Sequence, residues 1–146
     1  MRFPFITAAS FKQDGTLAVM PYLPIHLTYK GSIVKTYGML DTGAQVNVLP
    51  FSVGLNLGAV WENQTVSMQL GGNLASVEAR GLLIEGIVDG CPPIRLAFAW
   101  TKTDNVPLLL GHTNFFDEFD VLFSRSSLFF DVLPKDVLNK IGVQYN

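Results

Sequence analysis

Three features of the sequence point to a mostly β fold in a single domain. Glycine is frequent, with 13 residues in 146. Apolar runs of four to eight residues recur between turn signals, the length of a buried or half-buried strand. Long segments with a 3.6-residue apolar period are nearly absent, so helix should be scarce.

The elements follow in order. Phe3 to Tyr22 reads as a first hairpin turning at Asp14-Gly15, whose second residue tolerates positive φ. After Pro21 and Pro24, Ile25, Leu27 and Tyr29 alternate with His26 and Thr28 as a half-buried strand does. Lys30-Gly31 turns the chain, and Ile33 to Leu40 returns and ends on Asp41-Thr42-Gly43. Thr65 to Leu70 and Leu74 to Leu83 read as a long hairpin with a mobile tip at Gly71-Gly72-Asn73. Ile84 to Val88 and Ile94 to Trp100 form a further strand pair around the loop Asp89-Gly90-Cys91-Pro92-Pro93. Pro107 to Gly111 is an apolar strand ending on glycine, and Thr113 or Asn114 can cap a short helix after it. Phe119 to Phe123 and Leu128 to Val132 close the fold around a turn at Ser124 to Ser127, with a last helical turn or two expected over Pro134 to Ile141. The two apolar strands that run into glycine, at Gly38 to Gly43 and Leu108 to Gly111, suggest the arms of an internal two-fold.

Composition excludes several function classes. Residues are 49% apolar and 15% charged, which suits one domain with a large core. Ten Lys and Arg against twelve Asp and Glu leave a net charge of -2, so no basic field exists for a nucleic-acid backbone or an anionic membrane surface. No apolar run approaches the roughly 18 residues of a membrane span. The stretch Met1 to Thr7 is a poor signal peptide, interrupted by Pro4 and Thr7, and a cytoplasmic protein is expected. Cys91 is the single cysteine, and with His26 and His112 as the two histidines no cluster has zinc spacing, so no metal or other cofactor is expected.

Most other conspicuous residues have structural explanations. His26 sits in a strand pattern, His112 suits a loop-fixing role, and Cys91 has no basic partner to activate its thiol. The phenylalanines at 115, 116, 119, 123, 129 and 130 suit a core or an interface, and Asp117, Glu118 and Asp120 a solvated helix face. Asp41 is different. A carboxylate at the end of an apolar strand lies where water is scarce, and Thr42 and Gly43 add a hydroxyl and a backbone able to turn tightly. On general grounds Asp and Gly in a turn usually serve the turn alone.

Leu40-Asp41-Thr42-Gly43-Ala44, a glycine-tipped hairpin downstream, then Leu109-Leu110-Gly111 and a short helix together resemble a retropepsin-type aspartic protease over roughly residues 24 to 133. Gln45 resembles the cellular and bacterial branch more than the retroviral enzymes. The resemblance implies a small closed β barrel with one short helix near the C-terminal end, and a homodimer in which two chains share one active site. It makes Asp41 the catalytic carboxylate, Thr42 the hydroxyl that locks the two active-site loops across the dimer axis, and Gly43 a main-chain contact to substrate. Ala44 and Gln45 would line the cleft, Gly71 and Gly72 would form the flap tip, and Gly111 would pack behind the catalytic loop. Two positions depart from the retroviral pattern of an acidic residue paired with an arginine, holding Gln45 and His112 instead, and a Gln45 to His112 hydrogen bond is the expected substitute.

Amide hydrolysis by carboxylates needs one ionised group to deprotonate water and one protonated group to donate. The chain has one Asp-Thr-Gly, so the second carboxylate must come from another copy. The expected activity is therefore endopeptidase action on an extended polypeptide by two copies of Asp41, without nucleic acid or membrane partners. Ala44 cannot hydrogen-bond the ionised carboxylate pair and so lower its pKa, so activity should extend toward mildly acidic or near-neutral pH. A dimeric peptide-binding or scaffolding module that does not cleave is the alternative, followed by a monomeric β-barrel interaction domain in which Asp41 only supports a turn.

Overall fold

The computed structural model describes residues 1–11 and 17–137. In chain order these form β1 (Arg2–Pro4), β2 (Ile6–Phe11), β3 (Leu17–Met20), β4 (Tyr22–Tyr29), β5 (Ser32–Leu40), β6 (Asn47–Leu49), α1 (Phe51–Asn56), β7 (Ser67–Met68), β8 (Ala79–Ile87), β9 (Ile94–Thr101), β10 (Leu109–Leu110), α2 (Phe115–Glu118), β11 (Phe119–Ser124) and β12 (Phe129–Pro134). The Asp14-Gly15 turn and the part of the expected C-terminal helix beyond Val137 lie outside the described residues. No helix among the described residues is long and apolar enough to cross a membrane.

The fold is all-β with a closed barrel. Six strands follow the order β4-β5-β10-β6-β9-β8, and β4 pairs back onto β8 to complete the ring. The β4–β5 hairpin turns at Lys30 and Gly31, with φ of 46° and 86°. Positive φ at both central residues is the two-residue turn whose twist matches the strands it joins. Along β4, Leu23, Ile25 and Leu27 are buried while Pro24 and His26 are exposed.

The same alternation divides the middle of the barrel between two packing environments. Leu49, Phe98, Trp100 and Leu110 enter the main core, whereas Val48, Ala99 and Leu109 join a smaller cluster with Leu70, Ala79 and Val106. A side-chain period of two makes β6, β9 and β10 the wall between core and cleft. Full burial of side chains such as Phe98 and Leu110 contributes about 1.5–3 kcal/mol each.

Several elements differ from the sequence expectations. Phe3 pairs with Phe130 in the sheet β1-β12-β11, so the first hairpin is β2–β3 alone. The run from Leu74 to Val88 is not two strands; Ala79 to Ile87 form one strand, paired along its length with β9. The order β5-β10-β6-β9 has a parallel pair on each side of a central antiparallel pair. Its symmetry relates β5 to β9 and β6 to β10, so the two glycine-terminated arms β5 and β10 are parallel neighbours rather than symmetry equivalents.

Helix α2 lies where a short helix was expected, and α1 is an addition. Pro50 precedes α1 without a capping side chain. Its cap comes from far along the chain, where Asp104 Oδ1 accepts the Ser52 N–H at 2.8 Å. Trp100 donates to the Phe51 carbonyl and stacks on the Phe51 ring, while Trp61 meets both rings edge-on. Of the phenylalanine group, Phe115, Phe119 and Phe130 are buried, Phe116 and Phe129 half-buried, and Phe123 exposed.

Candidate active site

Strand β5 delivers Asp41 to the end of the barrel, where its N–H bonds to the Leu110 carbonyl at 3.0 Å. The chain then turns back on itself. Ala44 N–H donates to the Asp41 carbonyl at 3.1 Å, and Gly43 N–H donates to Asp41 Oδ1 at 2.9 Å. A carboxylate accepting a backbone N–H two residues on is the local turn chemistry typical of Asp.

The residues after β10 form a bed under this loop. His112 N–H bonds to the Ala44 carbonyl at 2.9 Å, Thr113 N–H to the Gln45 carbonyl at 2.8 Å, and Asn47 N–H to the Thr113 carbonyl at 3.1 Å. Gly111 is required here because a Cβ would stand 2.6 Å from the carbonyl oxygens of both Ala44 and Val46. The expected Gln45 to His112 side-chain bond is not what the imidazole makes; Nε2 reaches the Thr42 carbonyl oxygen at 2.6 Å. The strand-like exchange between 44–46 and 111–113 brings the ring under Thr42.

Two asparagines hold the bed, and the sequence reading missed the first while assigning the second only as a cap. Asn47 is fully buried; it accepts the Gly111 N–H, donates to the Ala97 carbonyl and donates to Asn114 Oδ1. Asn114 also accepts the Ala97 N–H and donates to the Arg95 carbonyl. Its side chain is committed to β9 and makes no cap bond to α2. An asparagine inside Val46-Asn47-Val48-Leu49 was the available signal, since a polar residue in an apolar strand is buried only with partners.

Above the loop stands the β7–β8 hairpin. It pairs over fewer residues than expected, Ser67 with Arg80 and Met68 with Ala79. Its tip is not an open glycine loop but a folded turn over Gly72–Leu74, with Leu74 N–H bonded to the Gly71 carbonyl and Ala75 N–H to that of Gly72. Gly72 has φ 58°, and Gln69 clasps the turn through the Ala75 carbonyl at 2.7 Å.

Between loop and hairpin lies a cleft of about 500 Å³. Asp41, Gly43, Ala44 and Gln45 line one side, Gly71, Gly72, Asn73 and Leu74 the other, with Val46, Val48 and Leu109 between. Thr42 does not line it and is exposed on the loop beside Gly43. Among the described residues Asp41 is the one ionisable group in the lining, where it stands among apolar and amide side chains. Among the described residues no group of three or more His, Cys, Asp or Glu side chains is placed to hold a metal ion.

The remaining sequence candidates lie elsewhere. His26 is exposed on β4, and Cys91 is half-buried in the β8–β9 loop, where burial pushes its thiol up and keeps it protonated. Glu118 pairs with Lys135 at 3.1 Å.

No family model and no curated protein sequence matches this chain. Among solved structures, it is similar to a retropepsin-like aspartic protease from Rickettsia conorii, with a TM-score of 0.57 and 14% identity over 91% of this chain and 98% of that one. The likeness is one of fold.

Proposed function

We propose that the protein is an aspartic endopeptidase of retropepsin type, active as a homodimer. The observation that carries this reading is the Asp41 carboxylate in a cleft that faces the β7–β8 hairpin tip and holds no other ionisable group among the described residues. One carboxylate cannot act as base and acid at once, and a two-fold dimer supplies the second. Two carboxyl groups at roughly 3 Å share one proton, and their ionisations belong to the pair.

In this reading the ionised Asp41 takes a proton from water as its oxygen attacks the peptide carbonyl. The protonated Asp41 of the second copy donates to the substrate, and the amide nitrogen leaves protonated as the amine. Gly43 N–H holds one oxygen of each carboxylate, and Thr42, exposed on the loop, is assigned to the contact between the two loops. Gly43, Ala44 and Gln45 bind one edge of an extended peptide and the tip at Gly71 and Gly72 the other, in a strand-like mode. Tip closure excludes water from the reacting amide.

The bond between Gly43 N–H and Asp41 Oδ1 favours a second reading, a dimeric peptide-binding or scaffolding module in which Asp41 shapes the loop without cleaving. Incubation with a peptide library separates the two. Cleavage by the wild type that is lost in Asp41→Asn and blocked by a pepstatin-type inhibitor is expected. Peptide binding without cleavage supports the module, and cleavage that survives Asp41→Asn rejects the protease mechanism.

A further inference from the structure

We propose that His112 is a positioning residue for Asp41 that acts through the Thr42–Gly43 peptide group; the inference rests on the reading of Asp41 as the catalytic carboxylate. A carbonyl oxygen only accepts, so His112 Nε2 carries the hydrogen and donates to Thr42 at 2.6 Å. The N–H of that same peptide group is the Gly43 donor to Asp41 Oδ1 at 2.9 Å. Because the group is planar, holding the carbonyl at one end aims the N–H at the other. Donation to the carbonyl also polarises the peptide and strengthens its N–H as a donor. A stronger donor favours the ionised carboxylate, the form that takes a proton from water.

The donor is itself held rigidly. His112 is tied by its main chain to Ala44, and its ring packs on Phe116 with centroids 5.4 Å apart. Phe116 in turn bonds through its N–H to the Gly111 carbonyl, so α2 braces the imidazole from behind. A loop anchor without influence on the carboxylate would predict lost stability and weaker substrate binding instead.

Three variants distinguish these. His112→Gln carries an amide nitrogen at the same ε position, His112→Asn ends one bond short, and His112→Ala has no donor. His112→Ala is expected to lower kcat by ~10- to 100-fold with KM nearly unchanged, and to move the acidic limb of the pH–kcat profile to higher pH. His112→Gln should recover most of both, and His112→Asn should not. The Gly43 amide proton shift, read by NMR, should move upfield in His112→Ala and return in His112→Gln. Wild-type kcat and an unmoved Gly43 shift in His112→Ala would overturn the proposal, as would a raised KM with the pH profile unchanged. If the wild type cleaves no peptide, the protease reading fails, and the Gly43 shift still decides whether His112 governs the Asp41 contact.

Discussion

The side-chain amides of Asn47 and Asn114 meet at 3.2 Å, and through them β6, β9 and the residues after β10 are joined behind the loop that carries Asp41. Replacing Asn47 with alanine leaves the buried Gly111 N–H and the half-buried Ala97 carbonyl without these partners. The expected loss is about 2–4 kcal/mol, since an orphaned buried group costs about 1–3 kcal/mol and a half-buried one less. A denaturant midpoint within error of the wild type would show that the network does not hold the bed.

Gly111→Ala tests the bed from the other side. The new Cβ meets the main-chain oxygens of Ala44 and Val46, which cannot rotate away. At Gly38 the close atoms belong instead to the side chains of Leu108 and Leu110, which can repack. Gly111→Ala should therefore cost about 1–3 kcal/mol of stability and reduce peptide cleavage further than its stability loss explains. Gly38→Ala at comparable stability should retain more activity. Equal activity loss per unit of stability in the two would refute this.

At the hairpin tip, adjacent glycines should respond differently. Gly71 has extended backbone with φ -100° and open space around it, whereas Gly72 has φ 58°. Valine at 72 pays about 1–2 kcal/mol for the left-handed conformation, so Gly72→Val should raise KM for peptide by roughly five- to thirtyfold. Gly71→Ala should leave KM close to wild type. Identical KM values for both would mean that the folded tip is not the conformation that meets the substrate.

The β1–β12 contact predicts an acid-sensitive increment of stability. Arg2 Nε and Nη2 bond to the Asp131 carboxylate at 2.8 and 3.1 Å, and the guanidinium holds that carboxyl below the usual carboxylate range. A carboxyl depressed in the folded state adds stability above its unfolded pKa and loses it as pH falls through the folded value. The stability difference between wild type and Asp131→Asn should therefore be present at neutral pH, shrink with added salt, and vanish on strong acidification. A difference that grows toward low pH would contradict the pairing.

The barrel was legible where residues speak locally. Leu23, Ile25 and Leu27 alternate with the exposed Pro24 and His26 as a strand does, Lys30-Gly31 marks its own turn, and the end of β5 on Asp41-Thr42-Gly43 stands in the sequence itself. What stayed hidden depends on distant partners. Helix α1 takes its N-terminal bond from Asp104 and its packing from Trp61 and Trp100, so Pro50 to Asn56 carries no capping pattern. The His112 contact with Thr42 spans 70 residues, and the Asn47 to Asn114 bond spans 67. The partners Phe3 and Phe130 lie at opposite ends of the chain, so local sequence places Phe3 in a hairpin it does not join. In the cleft, the loop residues Asp41 and Gly43 to Gln45 and the tip residues Gly71 and Gly72 were legible from their motif. The shared wall of Val48 and Leu109 emerges only from the sheet order β5-β10-β6-β9.

If two copies of Asp41 act together, mixing wild type with Asp41→Asn reveals it. Wild type and Asp41→Asn, exchanged at constant total concentration, would form wild-type, mixed and variant dimers in statistical proportion, and a mixed dimer would have one Asp41 carboxyl group. The rate of peptide hydrolysis is predicted to fall as the square of the wild-type fraction. A linear fall would mean that each chain acts alone and would rule out a shared pair of Asp41 carboxyl groups.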